Sequence, residues 1–284
     1  RATYDGRRRL LRLEFDLALT RRSANYNNTA AFSIVLFRLD EPEWGFRSAL
    51  QKYAAIFPTE PEYVQGNWLP FLGTPDIQEP ADFGFRYQEG GATGPAAQAM
   101  NREGVELFPY IEPHVMHWPV NDTSPEGVEA SLLECEAHPE RHSRDIASLC
   151  RQILHSAVLK SDGQRFFRVE NAPWNKGVMF FSDLSPALLA DPDSRGARLA
   201  AEVEGWYQSA IAGNYSISGV YIDSTEGFGA PFLLNYNLGA LRNTTSPPVF
   251  DASGRAAVLL AADFLGFLAD LRERIRPRGG RLFG

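Results

Sequence analysis

The sequence predicts an α/β chain: a (β/α)8 TIM-type barrel, truncated, preceded by the end of a β-sandwich. Three observations carry that expectation. From about residue 66 onward, short apolar runs alternate with amphipathic helical stretches, the pattern of a parallel sheet covered by helices. Two of those runs, Gly219-Val220-Tyr221-Ile222-Asp223 and Val105-Glu106-Leu107-Phe108-Pro109-Tyr110-Ile111-Glu112, stop abruptly at a carboxylate. Upstream, residues 9–20 and 30–38 alternate or run apolar around the loop Asn25-Tyr26-Asn27-Asn28, as an antiparallel pair would.

In chain order, residues 1–40 read as the last strands of a sandwich, and 41–65 as a linker carrying a short helix over 51–57. Pro58, Pro61 and Gly66 break the chain there. Residues 66–284 read as the partial barrel, with strands at 67–72, 105–112, 177–183, 219–224 and 280–284. Helical periodicity falls at 126–135, 143–159, 197–212 and 255–275. The Gly- and aromatic-rich segment Asp82–Gly91 reads as a long substrate loop, because it lacks the spacing of a phosphate cradle. The chain starts without Met inside strand-like sequence and ends on what reads as the opening of a strand, so both ends are expected to be cut points of a larger protein.

Composition bounds the function. A chain of 284 residues with net charge −7 and no long basic run is a poor match for nucleic acid or an anionic membrane surface. It is compatible with a neutral partner such as a carbohydrate. The 12% aromatic content suits sugar stacking, although core packing accounts for most of it. Cys135 and Cys150 lack C-x-x-C spacing and convincing histidine partners, so they read as free or buried thiols. No cofactor is expected. Four Asn-x-Ser/Thr matches, beginning at Asn27, Asn121, Asn214 and Asn243, leave the compartment open, with an extracellular or periplasmic one slightly favoured. The oligomeric state is not encoded in any pattern.

In parallel α/β sheets, reacting groups sit at the carboxyl ends of strands. Asp223 is therefore the first candidate, with Glu226 three residues on; the plain alternative for Asp223 is a helix N-cap, a task that Ser224 or Thr225 can also fill. Glu112 ends the other strand, with Pro113 stopping the chain behind it; the alternative is a carboxylate holding loop amides or an arginine. Two carboxylates flanking a glycosidic bond act as nucleophile and acid/base about 5–5.5 Å apart, or as acid and base about 6.5–9.5 Å apart.

His114 and His117 read as sugar-binding or loop-structuring residues, and Trp118, on the loop after a strand end, as a stacking platform. Trp174 is a candidate aromatic wall, with plain packing nearly equal to it. Asp183 is a further strand-terminal carboxylate, with helix capping favoured by a little. Tyr221 shapes the pocket, and Asn235 supplies hydroxyl contacts. Two rival readings stand beside catalysis by a carboxylate pair: a non-catalytic carbohydrate-binding barrel, and a metal-dependent hydrolase using His114, His117 and Asp223.

Together, Trp44–Tyr53, Phe57-Pro58, Gly66–Phe71, Phe83-Gly84-Phe85 and Gly219–Ser224 resemble a group of large glycoside-hydrolase-like proteins in which a β-sandwich precedes a TIM-type barrel. The resemblance covers most of the chain. It implies carbohydrate hydrolysis by a carboxylate pair, with retention favoured. In related retaining α-glycosidase barrels the nucleophile is an Asp at the end of the fourth strand, the position that Asp223 takes in the count above. Their acid/base comes from a later strand, which this chain does not contain.

Overall fold

The computed structural model describes residues 2–13, 34–56, 67–69, 84–90, 93–173, 175–225, 229, 233–237, 239, 241 and 247–284. The fold is mixed α/β. In chain order its elements are β1 (Ala2–Asp5), β2 (Leu10–Leu13), α1 (Phe46–Ile56), β3 (Asn67–Leu69), β4 (Phe85–Glu89), α2 (Gly94–Arg102), β5 (Glu106–Phe108) and β6 (Tyr110–Ile111). There follow β7 (Val115–Pro119), α3 (Pro125–Ala137), α4 (Arg144–Ser156), β8 (Phe167–Asn171), β9 (Lys176–Phe181), α5 (Arg195–Ala212) and β10 (Gly219–Ile222). The last are β11 (Leu234–Asn235), β12 (Val249–Phe250), β13 (Ala256–Leu259), α6 (Leu260–Ile275) and β14 (Arg281–Phe283).

Two parallel ladders, β3-β4-β5 and β6-β10-β14, are joined through one strand that Pro109 interrupts. On one edge that strand pairs with β4. On the other, Ser218, Tyr221 and Asp223 donate their backbone N–H groups to the carbonyls of Leu107, Pro109 and Ile111, each at 2.9 Å. The result is a parallel sheet in the order β3, β4, β5/β6, β10, β14, with α2 on the crossover from β4 to β5.

Its two faces differ because side chains alternate along a strand. Ile111, Val220 and Ile222 pack outward under α5 and α6, in a core with Leu199, Val203, Phe264, Phe267 and Leu271. The other face holds Tyr87, Phe108 and Phe283, whose rings meet at centroid distances of 4.9–6.2 Å. Tyr87 and Phe283 stand three strands apart, about 14 Å on a flat sheet. Their approach to 6.2 Å requires the sheet to curl toward that face. Gly219 leaves room for close neighbours: a Cβ there would lie 2.7 Å from the Phe108 ring and closer still to the Arg281 carbonyl.

Between β6 and α5 the chain builds a second, antiparallel sheet in the order β7-β9-β8. One face of it, Met116, Trp118, Val178 and Phe180, is sealed by Val128, Leu132 and Cys135 of α3 and Cys150 and Ile153 of α4. Both cysteines are free thiols at that helix interface. Helices α3, α4 and α5 each start from a serine, Ser124, Ser143 and Ser194, whose hydroxyl accepts the N–H three residues on.

Several expectations are corrected. Residues 176–181 form a strand of the antiparallel sheet and lie outside the parallel one. Residues 85–89, expected as loop, are a parallel strand; Phe-Arg-Tyr-Gln-Glu lacks an apolar run because one face of β4 is the polar, aromatic interior. The two errors offset, so Asp223 still follows the fourth parallel strand of the described chain. The expected helix over 255–275 splits into β13 and α6, and the helix at 51–57 starts earlier, at Phe46. Strand β2 pairs with β1 across a four-residue turn, while residues 34–38 carry no strand. Residues 14–33, 57–66 and 70–83 lie outside the described residues. Among the described residues the parallel sheet is an open arc with no closed barrel, and no helix is long and apolar enough to cross a membrane.

Candidate functional site

The concave face is layered from the amino to the carboxyl ends of the strands. At the bottom, Arg281 pairs with Glu106 and lies over the Phe108 and Phe283 rings at 5.4 and 5.8 Å. The aromatic trio comes next. Above it Tyr110 and Tyr221, register neighbours on β6 and β10, stack within 15° of parallel at 6.3 Å. At the top, Glu112 follows β6 and Asp223 follows β10, while Glu89 ends β4 in register with Phe108 and within reach of the Asp223 charge.

One residue past the Ile222–Ile111 pair, Asp223 and Glu112 stand side by side. Asp223 Oδ2 accepts from the Tyr110 hydroxyl at 2.7 Å. The Ser224 hydroxyl lies 3.0 Å from Glu112 Oε1 and 3.2 Å from Asp223 Oδ2, and those two lengths bound the carboxylate oxygens at about 6.2 Å from each other. Ser224 reaches this bridging position through a left-handed backbone, φ 56°, which costs a non-glycine residue roughly 1–2 kcal/mol. Strain at a turn that places one hydroxyl between two acids is the sort of cost found at functional sites. Asp223 thus engages Tyr110 and Ser224.

The acids perturb their neighbours. Burial, and after it the Asp223 charge, raises the Glu89 carboxyl above the usual carboxylate range. Burial together with the hydrogen bond to Asp223 pushes the Tyr110 hydroxyl far up, so it remains a donor at all ordinary pH. Tyr221 is raised by burial and by the charges of Glu89 and Asp223.

His117 comes from the antiparallel sheet. Alternation along β7 turns Met116 and Trp118 to the helices and His117 to the opposite face, where it meets Glu112 and Glu170. Its Nε2 lies 3.4 Å from Glu112 Oε2 and its Nδ1 2.7 Å from Glu170 Oε2. The Asn175 side chain donates to the same Glu170 oxygen at 2.7 Å. Glu112 foremost, with Glu170, holds the imidazole above its ordinary value against the opposing effect of burial. The backbone of Glu112 is anchored separately, its carbonyl accepting from the Arg195 guanidinium at 2.7 Å.

Of the residues singled out from sequence, Asp223, Glu112, His117 and Tyr221 converge on this layer. Four others do not face it. Trp118 is 3% exposed, packs in the α3–α4 core, and donates its indole N–H to Ser131 at 2.8 Å, so it is a core residue and no stacking platform. His114 is fully buried against the Phe264 ring at 4.1 Å, and burial lowers it to about 4, keeping a neutral imidazole beneath the site. Asp183 and Asn235 are also fully buried and bond each other at 2.7 Å. Asp183 accepts the Ser185 N–H, while Asn235 accepts those of Leu159 and Asn237. Neither side chain has a free edge for a sugar. Glu226 and Trp174 lie outside the described residues.

Sequence reading passed over Glu89, Ser224 and Glu170 as site members. Glu89 was legible, since Phe85–Glu89 followed by Gly90 and Gly91 repeats the form of a strand that stops at an acid and a glycine. Glu170 had no local signal. Among the described residues, no group of three or more His, Cys, Asp and Glu side chains is arranged to hold a metal ion.

No family model matches this sequence, and no curated protein matches it. Solved structures do. The glycoside hydrolase domain of PelA from Pseudomonas aeruginosa aligns over 77% of this chain and 58% of its own length, at 12% identity and TM-score 0.38. Ega3 from Aspergillus fumigatus, in complex with galactosamine, aligns over 77% and 59%, at 8% identity and TM-score 0.35. The α-N-acetylgalactosaminidase NagBb from Bifidobacterium bifidum aligns over 85% and 38%, at 11% identity and TM-score 0.36. This chain spans less than two thirds of each.

Proposed function

We propose that this chain carries the carboxylate site of a glycoside hydrolase, and that the parallel arc is part of a TIM-type barrel. The observation that carries the reading is the bridge from Glu112 through the Ser224 hydroxyl to Asp223, at the carboxyl ends of adjacent parallel strands. Asp223 is the nucleophile: the Tyr110 hydroxyl donates to its carboxylate, and the Ser224 hydroxyl 3.2 Å away fixes its place, aiming it at a developing oxocarbenium centre. Glu112 is the acid/base. The shared Ser224 hydroxyl keeps Glu112 Oε1 and Asp223 Oδ2 no more than about 6.2 Å apart, an upper limit that admits the close spacing retention uses. Glu89, raised by burial and by Asp223, is a second carboxyl able to carry a proton at the cleft. Tyr221 lines the proposed sugar surface.

The test is reducing-end release from a panel of neutral, N-acetylated and amino oligosaccharides by the full-length protein. Asp223→Asn should lower turnover by on the order of 10³-fold or more, and azide should rescue Glu112→Ala on substrates with good leaving groups. Undiminished turnover in Asp223→Asn would remove the assignment. Saturable binding of the same sugars with no turnover by the wild type would turn the reading to a binding module.

A further inference from the structure

The acid/base of a double-displacement mechanism gives up a proton in the first step and takes one from water in the second, so the cycle can start only if its resting state is protonated. Among the described residues, Glu112 faces a titratable base at hydrogen-bond range, His117, and that imidazole sits between two carboxylates on different elements. The charged groups facing His117 among the described residues are Glu112 after β6 and Glu170 on β8, with Asn175 bonded to Glu170. Glu112 is in turn close to Arg195, His114 and Tyr110, and it accepts from Ser224.

We propose that Glu170, His117 and Glu112 form a proton relay: Glu170 holds His117 as an imidazolium, and His117 shares one proton with Glu112, so that Glu112 enters each catalytic cycle loaded as the acid. The inference rests on the reading of Glu112 as acid/base, and His117 and Glu170 are positioning residues that act through it.

The hydrogen count supports the assignment. An imidazolium donates from both ring nitrogens, which satisfies Glu170 at Nδ1 and Glu112 at Nε2 together. A neutral ring has one N–H. The shorter Nδ1 contact, 2.7 Å, keeps it on Glu170, and the lone pair at Nε2 then faces the Glu112 carboxylate 3.4 Å away. That repulsion is relieved only when the proton sits on Glu112 Oε2. The two states therefore differ by one transfer: the Nε2–H bond breaks, the Oε2–H bond forms, the imidazole becomes neutral, and Glu112 is loaded with its acid proton. Glu112 releases the proton to the leaving oxygen, regains one when it activates water, and equilibrates it with Nε2. Asn175 bonds Glu170 at 2.7 Å throughout, and the antiparallel sheet carries His117 on β7 and Glu170 on β8.

The relay makes predictions that a purely structural ion pair does not. In wild type, the ¹⁵N-detected titration of His117 should show a midpoint above the ordinary histidine value near 6.5, with Nδ1 still protonated in the neutral form. Glu170→Gln should lower that midpoint by about one pH unit or more, because an opposite charge at this range favours the imidazolium. In the same variant the basic limb of kcat against pH should move to lower pH by a matching amount, with KM little changed. His117→Gln should keep the fold by circular dichroism and lose that limb. A His117 midpoint at or below 6.5, or a midpoint that Glu170→Gln leaves in place, overturns the relay. So does a normal titration shift with an unmoved pH–rate limb. The ring titration needs no substrate, so failure of the glycosidase reading, in which no sugar is turned over, is told apart from failure of the relay.

Discussion

Asn235→Ala separates a sugar contact from a structural one. Asn235 is fully buried, and its side chain makes three hydrogen bonds: Nδ2 donates to Asp183 at 2.7 Å, and Oδ1 accepts from Leu159 and Asn237 at 3.1 Å each. Truncation takes one donor from a fully buried carboxylate, worth about 2 kcal/mol, and strands two amide donors at about 1 kcal/mol each. The expected loss is about 4 kcal/mol, a fall in Tm on the order of 10 °C for a chain of this size. Asn235→Asp keeps the shape and sets two carboxylates against each other in a site closed to water. It should be more damaging at neutral pH and recover partly on acidification, as one of the two takes a proton. Urea unfolding followed by tryptophan fluorescence reads both variants, and activity per folded molecule is measured beside it. A loss under 1 kcal/mol with a large rise in KM would refute the structural role and return Asn235 to the substrate.

Trp118→Ala should cost about 3–5 kcal/mol, the range for removing a large aromatic from a packed core, and leave KM of the folded fraction unchanged; a KM effect without a stability loss would mark it as a sugar platform. His114 sets an acid sensitivity. Its folded value near 4 lies below the unfolded 6.5, so the unfolded chain takes up a proton that the fold refuses, and stability is lost as pH falls from 6.5 toward 4, by about 3 kcal/mol at most. His114→Gln should flatten the difference in unfolding free energy over that window, and an unchanged slope would refute it. His117 has the opposite sign: its raised value adds stability that is complete below 6.5 and lost as pH rises through the folded midpoint. At Ser224, whose φ is 56°, Gly should be the more stable of the Gly and Ala variants by about 1 kcal/mol, with both losing the bridge and most of the turnover; equal stability in calorimetry would argue against strain there.

Sequence by itself determined the parallel strands at 105–112, 219–224 and 280–284, four of the helices to within a few residues at most ends, and the placing of Asp223 and Glu112 at strand ends. These are local facts: a β-branched run that stops at an acid and a helical apolar stripe need only near neighbours to be recognised. The tertiary structure decided which strands pair with which. Residues 177–183 and 85–89 were misassigned because an apolar run reads alike in either kind of sheet, while β4 turns one side to a polar, aromatic interior and so shows no run at all. It also decided which polar side chains are reachable. Trp118, His114, Asp183 and Asn235 have the residue types of a sugar site, yet each faces inward, for reasons lying in helices and loops far away in the chain. The Ser224 bridge depends on one positive φ and on a carboxylate 112 positions earlier, and the His117–Glu170 contact on a register 53 residues long. No local pattern encodes either, because only the curl of one sheet and the docking of another bring those atoms within a hydrogen bond.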